Sequence, residues 1–234
     1  MEKVMLKISG EALKGSLDNG IDPVILDNIA SQIKEASKMA SISIVLGGGN
    51  FFRGRDAEAL SLDRVDLDYM GMLGTVLNSL ALKSVLKSKG VDVVLFSSLE
   101  VSSIDVYFED DAINALNDGK VVIFAGGTGR PYYSTDTAAL LKAADIGVTR
   151  VIMGKIGVDG VYDSDPRVNK DAKKYDILSH KDLIENNLGV MDLSAAVIAD
   201  TNDIDIFVFS IQEEDAIIKA VKGEISHTLI TRRG

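Results

Sequence analysis

Cysteine and tryptophan are both missing from this 234-residue chain, and histidine occurs only twice. No disulfide, thiolate metal site or thiol nucleophile is therefore available. His180 and His227 stand far apart with no metal-ligand spacing, and both are expected at the surface. Proline is scarce too, at three residues, and no low-complexity tract, repeat or linker divides the chain. One domain over residues 1–234 is the expectation. No apolar run reaches membrane-spanning length and no basic leader precedes one, so the sequence predicts a soluble, cytoplasmic protein with no membrane partner. Positive charge is also in short supply: 25 Lys and Arg stand against 35 Asp and Glu, a net charge of −10. That balance speaks against nucleic acid as a partner. An acidic protein that binds phosphates must gather its few cations and backbone dipoles locally.

Glycine, by contrast, clusters where apolar runs end. Residues 120–125 form a short β-branched run that reads as a buried strand. Gly126-Gly127-Thr128-Gly129-Arg130-Pro131-Tyr132-Tyr133-Ser134-Thr135 follows, and residues 138–144 are strong helix formers with Thr135 or Asp136 as the expected N-cap. Glycines let a backbone approach an anion closely, and a helix start offers unpaired N–H groups and positive dipole. A tight strand-to-helix connection by itself needs one glycine rather than three. The loop is therefore read as a site for a phosphorylated ligand, with Tyr132 and Tyr133 as flat faces for a base or ribose.

Two further glycine turns carry a cation. Residues 3–8 read as a strand apolar on both faces, and Lys7 at its end precedes Ser9-Gly10. There it would point into a cleft at the carboxyl edge of a parallel sheet, where ligands bind in such folds. Residues 43–46 run into Gly47-Gly48-Gly49-Asn50-Phe51-Phe52-Arg53-Gly54. Asp22-Pro23 caps a helix over 24–39, and 64–89 is the longest helical pattern, striped by Met70, Leu73, Leu77, Leu80 and Leu86. Asp68 lies in its first turns beside Gly71 and Gly74. Strands over 91–96, 151–153, 206–209 and 227–231 alternate with helices over 109–117, 193–201 and 213–221, Asp192 capping the second of these. The alternation predicts an α/β fold, an open, mainly parallel β-sheet sandwiched by helices. Residues 158–167 hold three aspartates but lack the closing Glu of a calcium loop; they read as a loop that packs Tyr162 against a nucleotide base.

No P-loop, no Gly-x-Gly-x-x-Gly and no Gly-x-Ser-x-Gly occurs. Lys7 at a strand end, Arg53 after a triple glycine and Asp136 at a helix start together resemble the amino acid kinase family. Its members phosphorylate carboxylates, carbamate or phosphates without a P-loop. Six motifs are similar, in order, to the branch of that family that acts on UMP. They begin at Lys7-Ile8-Ser9-Gly10, Gly47-Gly48-Gly49-Asn50, Asp68-Tyr69-Met70-Gly71, Gly127-Thr128-Gly129, Val158-Asp159-Gly160-Val161-Tyr162 and Val190-Met191-Asp192-Leu193.

The resemblance implies phosphoryl transfer from ATP to UMP, giving UDP and ADP, with Mg²⁺ carried in on ATP and no metal site of the protein's own. It implies an ATP site at Lys7, Ile8, Ser9, Gly10, Gly49, Arg53, Ile156, Tyr162 and Asp165. It implies a UMP site at Gly48, Asp68, Thr128, Gly129, Arg130, Pro131, Tyr132, Tyr133, Ser134 and Thr135, with Asp68 accepting from the ribose hydroxyls. Lys7, Arg53, Asp136 and Asp192 would be catalytic, the cations neutralising charge and the two aspartates fixing Lys7 and ordering the metal's water shell. A homohexamer and feedback inhibition by UTP are implied as well. Three positions depart from the family pattern: Arg130 stands where small or apolar residues are usual, Ile156 where Thr or Asn is common, and Asn19 where an aromatic often precedes Gly20. Two other readings compete, a kinase of the same fold acting on a carboxylate and a nucleotide-sensing or oxyanion-storage protein without activity.

Overall fold

The computed structural model describes residues 1–52, 62–186 and 188–232. Aliphatic and β-branched runs make the long strands: β1 (Lys3–Ile8), β2 (Ser41–Leu46), β3 (Val93–Ser97), β5 (Val121–Ala125), β6 (Arg150–Lys155), β10 (Asp205–Ser210) and β11 (His227–Thr231). Shorter ones are β4 (Asp105–Val106), β7 (Val161–Tyr162), β8 (Lys174–Tyr175) and β9 (Ile177–Ser179). Nine of these form one sheet in the order β4-β3-β5-β2-β1-β6-β10-β11-β9, while β7 and β8 pair separately as an antiparallel ribbon. Every pairing in the large sheet is parallel except β10 with β11. The expected open, mainly parallel sheet is what forms.

Helices cover both faces: α1 (Pro23–Ala36), α2 (Arg64–Ser88), α3 (Glu109–Asn117), α4 (Thr135–Asp145), α5 (His180–Glu185), α6 (Leu193–Thr201) and α7 (Ala216–Lys222). Alternation along β1 divides the core in two, because successive side chains point to opposite faces. Val4, Leu6 and Ile8 pack with Ile29 and Ile33 of α1, Leu82 and Leu86 of α2 and Ile217 of α7. Met5 packs with Val45, Phe124 and Met153, against Ala139, Leu140 and Ala143 of α4 and Ala196 and Ala199 of α6. Lys7 is therefore on the α4 face, and this one parity decision places the chemistry. No helix among the described residues is long and apolar enough to cross a membrane.

Several local expectations change. Ser134, not Thr135 or Asp136, caps α4: its hydroxyl accepts from the N–H groups of Asp136 and Thr137. Asp22 and Asp192 cap α1 and α6 as expected. His180 is fully buried rather than superficial, its Nε2 at 2.9 Å from the Ile204 carbonyl oxygen. A neutral imidazole with one backbone partner fits an apolar site, and burial holds its pKa below the ordinary histidine value. The stripe on α2 is divided: Met70, Leu73 and Leu77 face outward, whereas Leu80 is partly buried and Leu86 lies in the core. Leu73 and Leu77 are about half exposed, at 52% and 51%, while the helix packs inward through Val76, Leu82 and Leu86 with the small polar residues Thr75, Asn78 and Ser79. Hydrophobic spacing identified a helix face but not which way it turns.

Candidate active site

Connections leave β1 and β6, which are neighbours, in opposite directions across the sheet: β1 leads through α1 to β2, and β6 leads towards β10 on the other side. Such a divergence opens a crevice at the strands' carboxyl ends. Lys7 pairs in register with Met153, so Lys155, two residues on, reaches the same face of the sheet as Lys7. Asp136, in the first turn of α4, projects between them. Lys7 Nζ lies 2.5 Å from Asp136 Oδ1, and Lys155 Nζ donates to Asp136 Oδ2 at 2.8 Å. Lys7 is 5% exposed and Asp136 8%, so both charged groups are buried.

Burial alone would raise the Asp136 carboxyl, but the charges and hydrogen bonds of Lys7 and Lys155 override it and hold the group well below the ordinary carboxylate range. Burial, helped by the charge of Lys7, pulls Lys155 below the usual lysine value, against the attraction of Asp136. With both lysines protonated, two ammoniums and one carboxylate give the triad itself a net charge of +1, partly offset by the nearby Asp192 carboxylate, beside the N-terminus of α4 with its own positive dipole. This is a small region prepared for anions in a chain of net charge −10. Lys155 was not foreseen, although the argument made for Lys7, a lysine ending an apolar strand, applies to it equally.

The glycine loops close the floor. A Cβ on Gly10 would fall 2.5 Å from the Gly47 oxygen, and one on Gly48 would fall 2.3 Å from the Gly71 oxygen. Gly47 and Gly48 are thus consumed by contact with the protein's own backbone, and Gly71 and Gly74 on α2 receive that loop. Only Gly49 of the triple faces open space, a Cβ there meeting Glu11 Cγ at an ordinary 3.6 Å. Buried Asn50 and Asn78 exchange hydrogen bonds of 2.9 and 2.7 Å, and Asn78 also holds the Gly47 carbonyl at 2.7 Å. Arg53, the cation expected to end this loop, lies outside the described residues.

Two clefts meet this region. One, of about 370 Å³, is lined by Gly48, Gly49, Phe52, Arg64, Leu67, Asp68, Gly71, Met72, Gly127, Tyr133 and Thr135. From the long loop after β5, this wall takes only Gly127, Tyr133 and Thr135 among the described residues. Thr128 and Gly129 serve the loop instead: the Thr128 hydroxyl donates to the Arg130 carbonyl and accepts from its N–H, and Gly129 at φ 74° passes 2.7 Å, by its absent Cβ, from the Ser98 oxygen. Arg130 is exposed, Pro131 half-buried, and Tyr132 takes a left-handed φ of 73° while its N–H donates to Asp68 Oδ2 at 2.7 Å. Asp68 also accepts from Arg64 Nε, at 3.0 and 2.9 Å to its two oxygens.

The second cleft, of about 480 Å³, runs from Lys155 and Ile156 past Val158, Tyr162 and Asp165 to Leu188 and Val190. Tyr162 donates to Asp159 Oδ1 at 2.6 Å, and Asp159 Oδ2 accepts from Lys174 at 2.8 Å, so the aromatic ring is tied down at its hydroxyl end. Asp165 is engaged by Arg167 through Nε and Nη2, both at 2.9 Å, on the exposed rim. Ile8 ends β1, with Ser9 and Gly10 following it, Ser9 half-buried and the other two buried; none of the three lines either cleft. Asp192 does not bond to Lys7. Its oxygens accept from Thr137 Oγ1 at 2.6 Å, from the Ala195 N–H at 2.9 Å and from the Ser134 hydroxyl, joining the starts of α4 and α6.

The arrangement is a cation-bearing crevice between two clefts, each large enough for much of a nucleotide. The amino acid kinase family model matches residues 2–210. The chain is 44% identical over 233 residues to a uridylate kinase from Mycoplasmopsis pulmonis (strain UAB CTIP), covering 98% of this chain and 96% of that one. Its structure is similar to the UMP kinase of Ureaplasma parvum, with a TM-score of 0.94 at 36% identity and 98% of each chain covered. The UMP kinase of Bacillus anthracis gives a TM-score of 0.95 at 36% identity, covering 100% of this chain and 97% of that one. Sequence and overall fold agree, and the chain belongs to the amino acid kinase family.

Proposed function

We propose that the chain is a UMP kinase, a nucleoside monophosphate kinase that transfers the γ-phosphoryl group of ATP to UMP, working as one domain over residues 1–234. The observation that carries this reading is the Lys7–Asp136–Lys155 triad, of which Lys155 lines the larger cleft while Thr135, next to Asp136, lines the smaller. ATP lies in the larger cleft with its base on Tyr162 and its phosphates running past Ser9, Gly10 and Gly49 to the triad. UMP lies in the smaller cleft, its ribose on Asp68 and its phosphate near Gly48 and Thr135.

The nucleophile is a UMP phosphate oxygen, which already carries negative charge at neutral pH, its second pKa being about 6. No general base is needed. A bond forms from that oxygen to the γ-phosphorus as the bond to the ADP oxygen breaks, and the electron pair leaves with ADP. The work of the protein is to hold two polyanions in line and to neutralise charge between them. Lys7 and Lys155 supply that charge from fixed positions, and Asp136 fixes them by holding one ammonium on each oxygen. Among the described residues no group of three His, Cys, Asp or Glu side chains is placed to hold a metal. Asp136 and Asp192 are already engaged by protein donors. The residues present do not fit a protein-held ion, and Mg²⁺ belongs to the reaction as part of the MgATP substrate.

Arg64 gives the acceptor cleft a cation, but Asp68 cancels it; the pair suits an acceptor bearing hydroxyls better than a bare carboxylate. Self-association draws support from the outward row of Tyr69, Met70, Leu73 and Leu77 on α2, an apolar patch of the kind that marks interfaces; a homohexamer is our proposal for its outcome. UTP, sharing uridine and ribose with UMP, should compete for the acceptor cleft. ADP release measured in parallel with UMP, CMP and acetylglutamate tests the assignment. Turnover with UMP well above CMP, and none with acetylglutamate, is the expected result. Equal kcat/KM for UMP and CMP would remove the base specificity, and activity on acetylglutamate alone would replace the function. UTP inhibition that persists when UMP is raised would require a separate site.

A further inference from the structure

We infer that Arg64 is a positioning residue for the sugar of the acceptor nucleotide, acting through Asp68; this rests on the acceptor-cleft reading above. Arg64 is the first residue of α2, where the helix dipole disfavours a cation. It pairs with Asp68 at i,i+4 in the weaker order, cation before anion. Its side chain is 64% exposed against 22% for that of Asp68, and a pair with its cation in water adds little to stability. Local helix physics therefore gives no reason for an arginine here. Such a mismatch points to a task other than folding.

The hydrogen bonds show the task. Arg64 engages Asp68 with Nε alone, shared between both carboxylate oxygens, and the Tyr132 N–H takes a further position on Oδ2. Oδ1 has one donor fewer than Oδ2, and both residues line the same cleft. The carboxylate is thus clamped from α2 and from the loop after β5, so that its open edge has one direction. No partner for Arg64 Nη1 or Nη2 is found among the described residues, and the guanidinium stands 5.8 Å from the Tyr132 ring centroid. The same arginine offsets the charge of Asp68, which would otherwise repel an incoming nucleotide dianion. Arg64 so sets both the direction and the charge of the group that reads the ribose, and the ligand feature it governs is the 2′-hydroxyl or its neighbour.

Equilibrium binding and steady-state turnover of UMP and 2′-deoxy-UMP, on the full chain and on Arg64→Gln, Arg64→Lys, Asp68→Asn and the double variant, test this. In Arg64→Gln the preference for UMP over the deoxy analogue should fall about tenfold, the loss expected when a charge-assisted hydrogen bond loses its alignment. KM should rise more than kcat falls, with partial recovery in Arg64→Lys. In the Asp68→Asn background the Arg64→Gln change should add almost nothing to that preference, since both act through one carboxylate. Additive effects, or an unchanged preference in Arg64→Gln, would overturn the inference while leaving the kinase assignment standing. Equal binding of the two nucleotides by the unmodified chain would overturn it by removing the ribose from Asp68. Failure to bind UMP at all would bring down the acceptor reading and this inference together.

Discussion

Replacing Lys7 by Met separates charge from shape at the centre of the site. Methionine fills most of the space of the lysine stem, so the β1 packing is kept and the ammonium is lost. On the proposed assignment the variant loses a fixed cation aimed at the transferring group, an interaction whose removal commonly lowers kcat by about 10²–10³-fold. Stability also falls, because Lys7 is buried and bound to Asp136 at 2.5 Å. A fully orphaned buried charge costs roughly 3–5 kcal/mol, but Asp136 retains Lys155 at 2.8 Å, so about 1–3 kcal/mol is the expected loss. For a chain of this length that is a drop in Tm of about 2–12 °C. The acid limb carries a second signature. Since the Asp136 carboxyl is depressed on folding, its contribution is complete above the unfolded value near pH 4 and disappears as pH falls through the folded value. Without Lys7 the lowering force weakens while burial still pushes upward, so the acid unfolding midpoint moves to higher pH. With no tryptophan in the chain, far-UV circular dichroism from pH 2 to 7 is the convenient probe, alongside kinetics at saturating substrates. Normal turnover, or an acid limb superimposable on that of the unmodified chain, would refute the triad as described.

Asp68→Asn should raise KM for UMP with a smaller change in kcat, since the proposed placement has it reading the sugar remote from the transferring group; a pure kcat defect in steady-state kinetics would contradict that placement. Gly48→Ala and Gly49→Ala should part company. The first drives a Cβ to 2.3 Å from the Gly71 oxygen and should cost about 1–3 kcal/mol in urea melts, whereas the second meets only Glu11 Cγ at 3.6 Å and should keep its stability while losing ATP affinity. Equal melting of the two would show that the loop does not rest on α2. Asp192→Ala removes a cap and the acceptor for Thr137, costing about 1–2 kcal/mol; an unchanged Tm would mean that the joint between α4 and α6 is not held there.

Much of the molecule was written locally, because its signals are short-range. Apolar runs announced the strands, Asp22 and Asp192 announced helix starts, and glycines at strand ends announced close approaches. These depend on backbone sterics and on hydrogen bonds a few residues apart, which a sequence carries directly. Lys7 and Tyr162 stood out for the same reason, as a charged and an aromatic group beside loops, whereas Asp136 read locally only as a helix cap and the role proposed for Asp68 came from the family resemblance. What the sequence left open is everything settled by non-local register. The cap of α4 fell to Ser134 because Asp136 turns instead towards two lysines from other strands. Lys155 joined the site only because β6 pairs with β1 at Lys7↔Met153, a register that one residue's slip would have reversed to the other face. Two glycines of the triple went to contacts with the β1 turn and α2, 37 residues before and 23 after, rather than to a ligand. Side-chain direction, pairing register and which face of a helix turns inward are collective properties of the packed sheet. They are decided when the layers close on one another, so only the tertiary structure could show that two strand-end lysines share one aspartate.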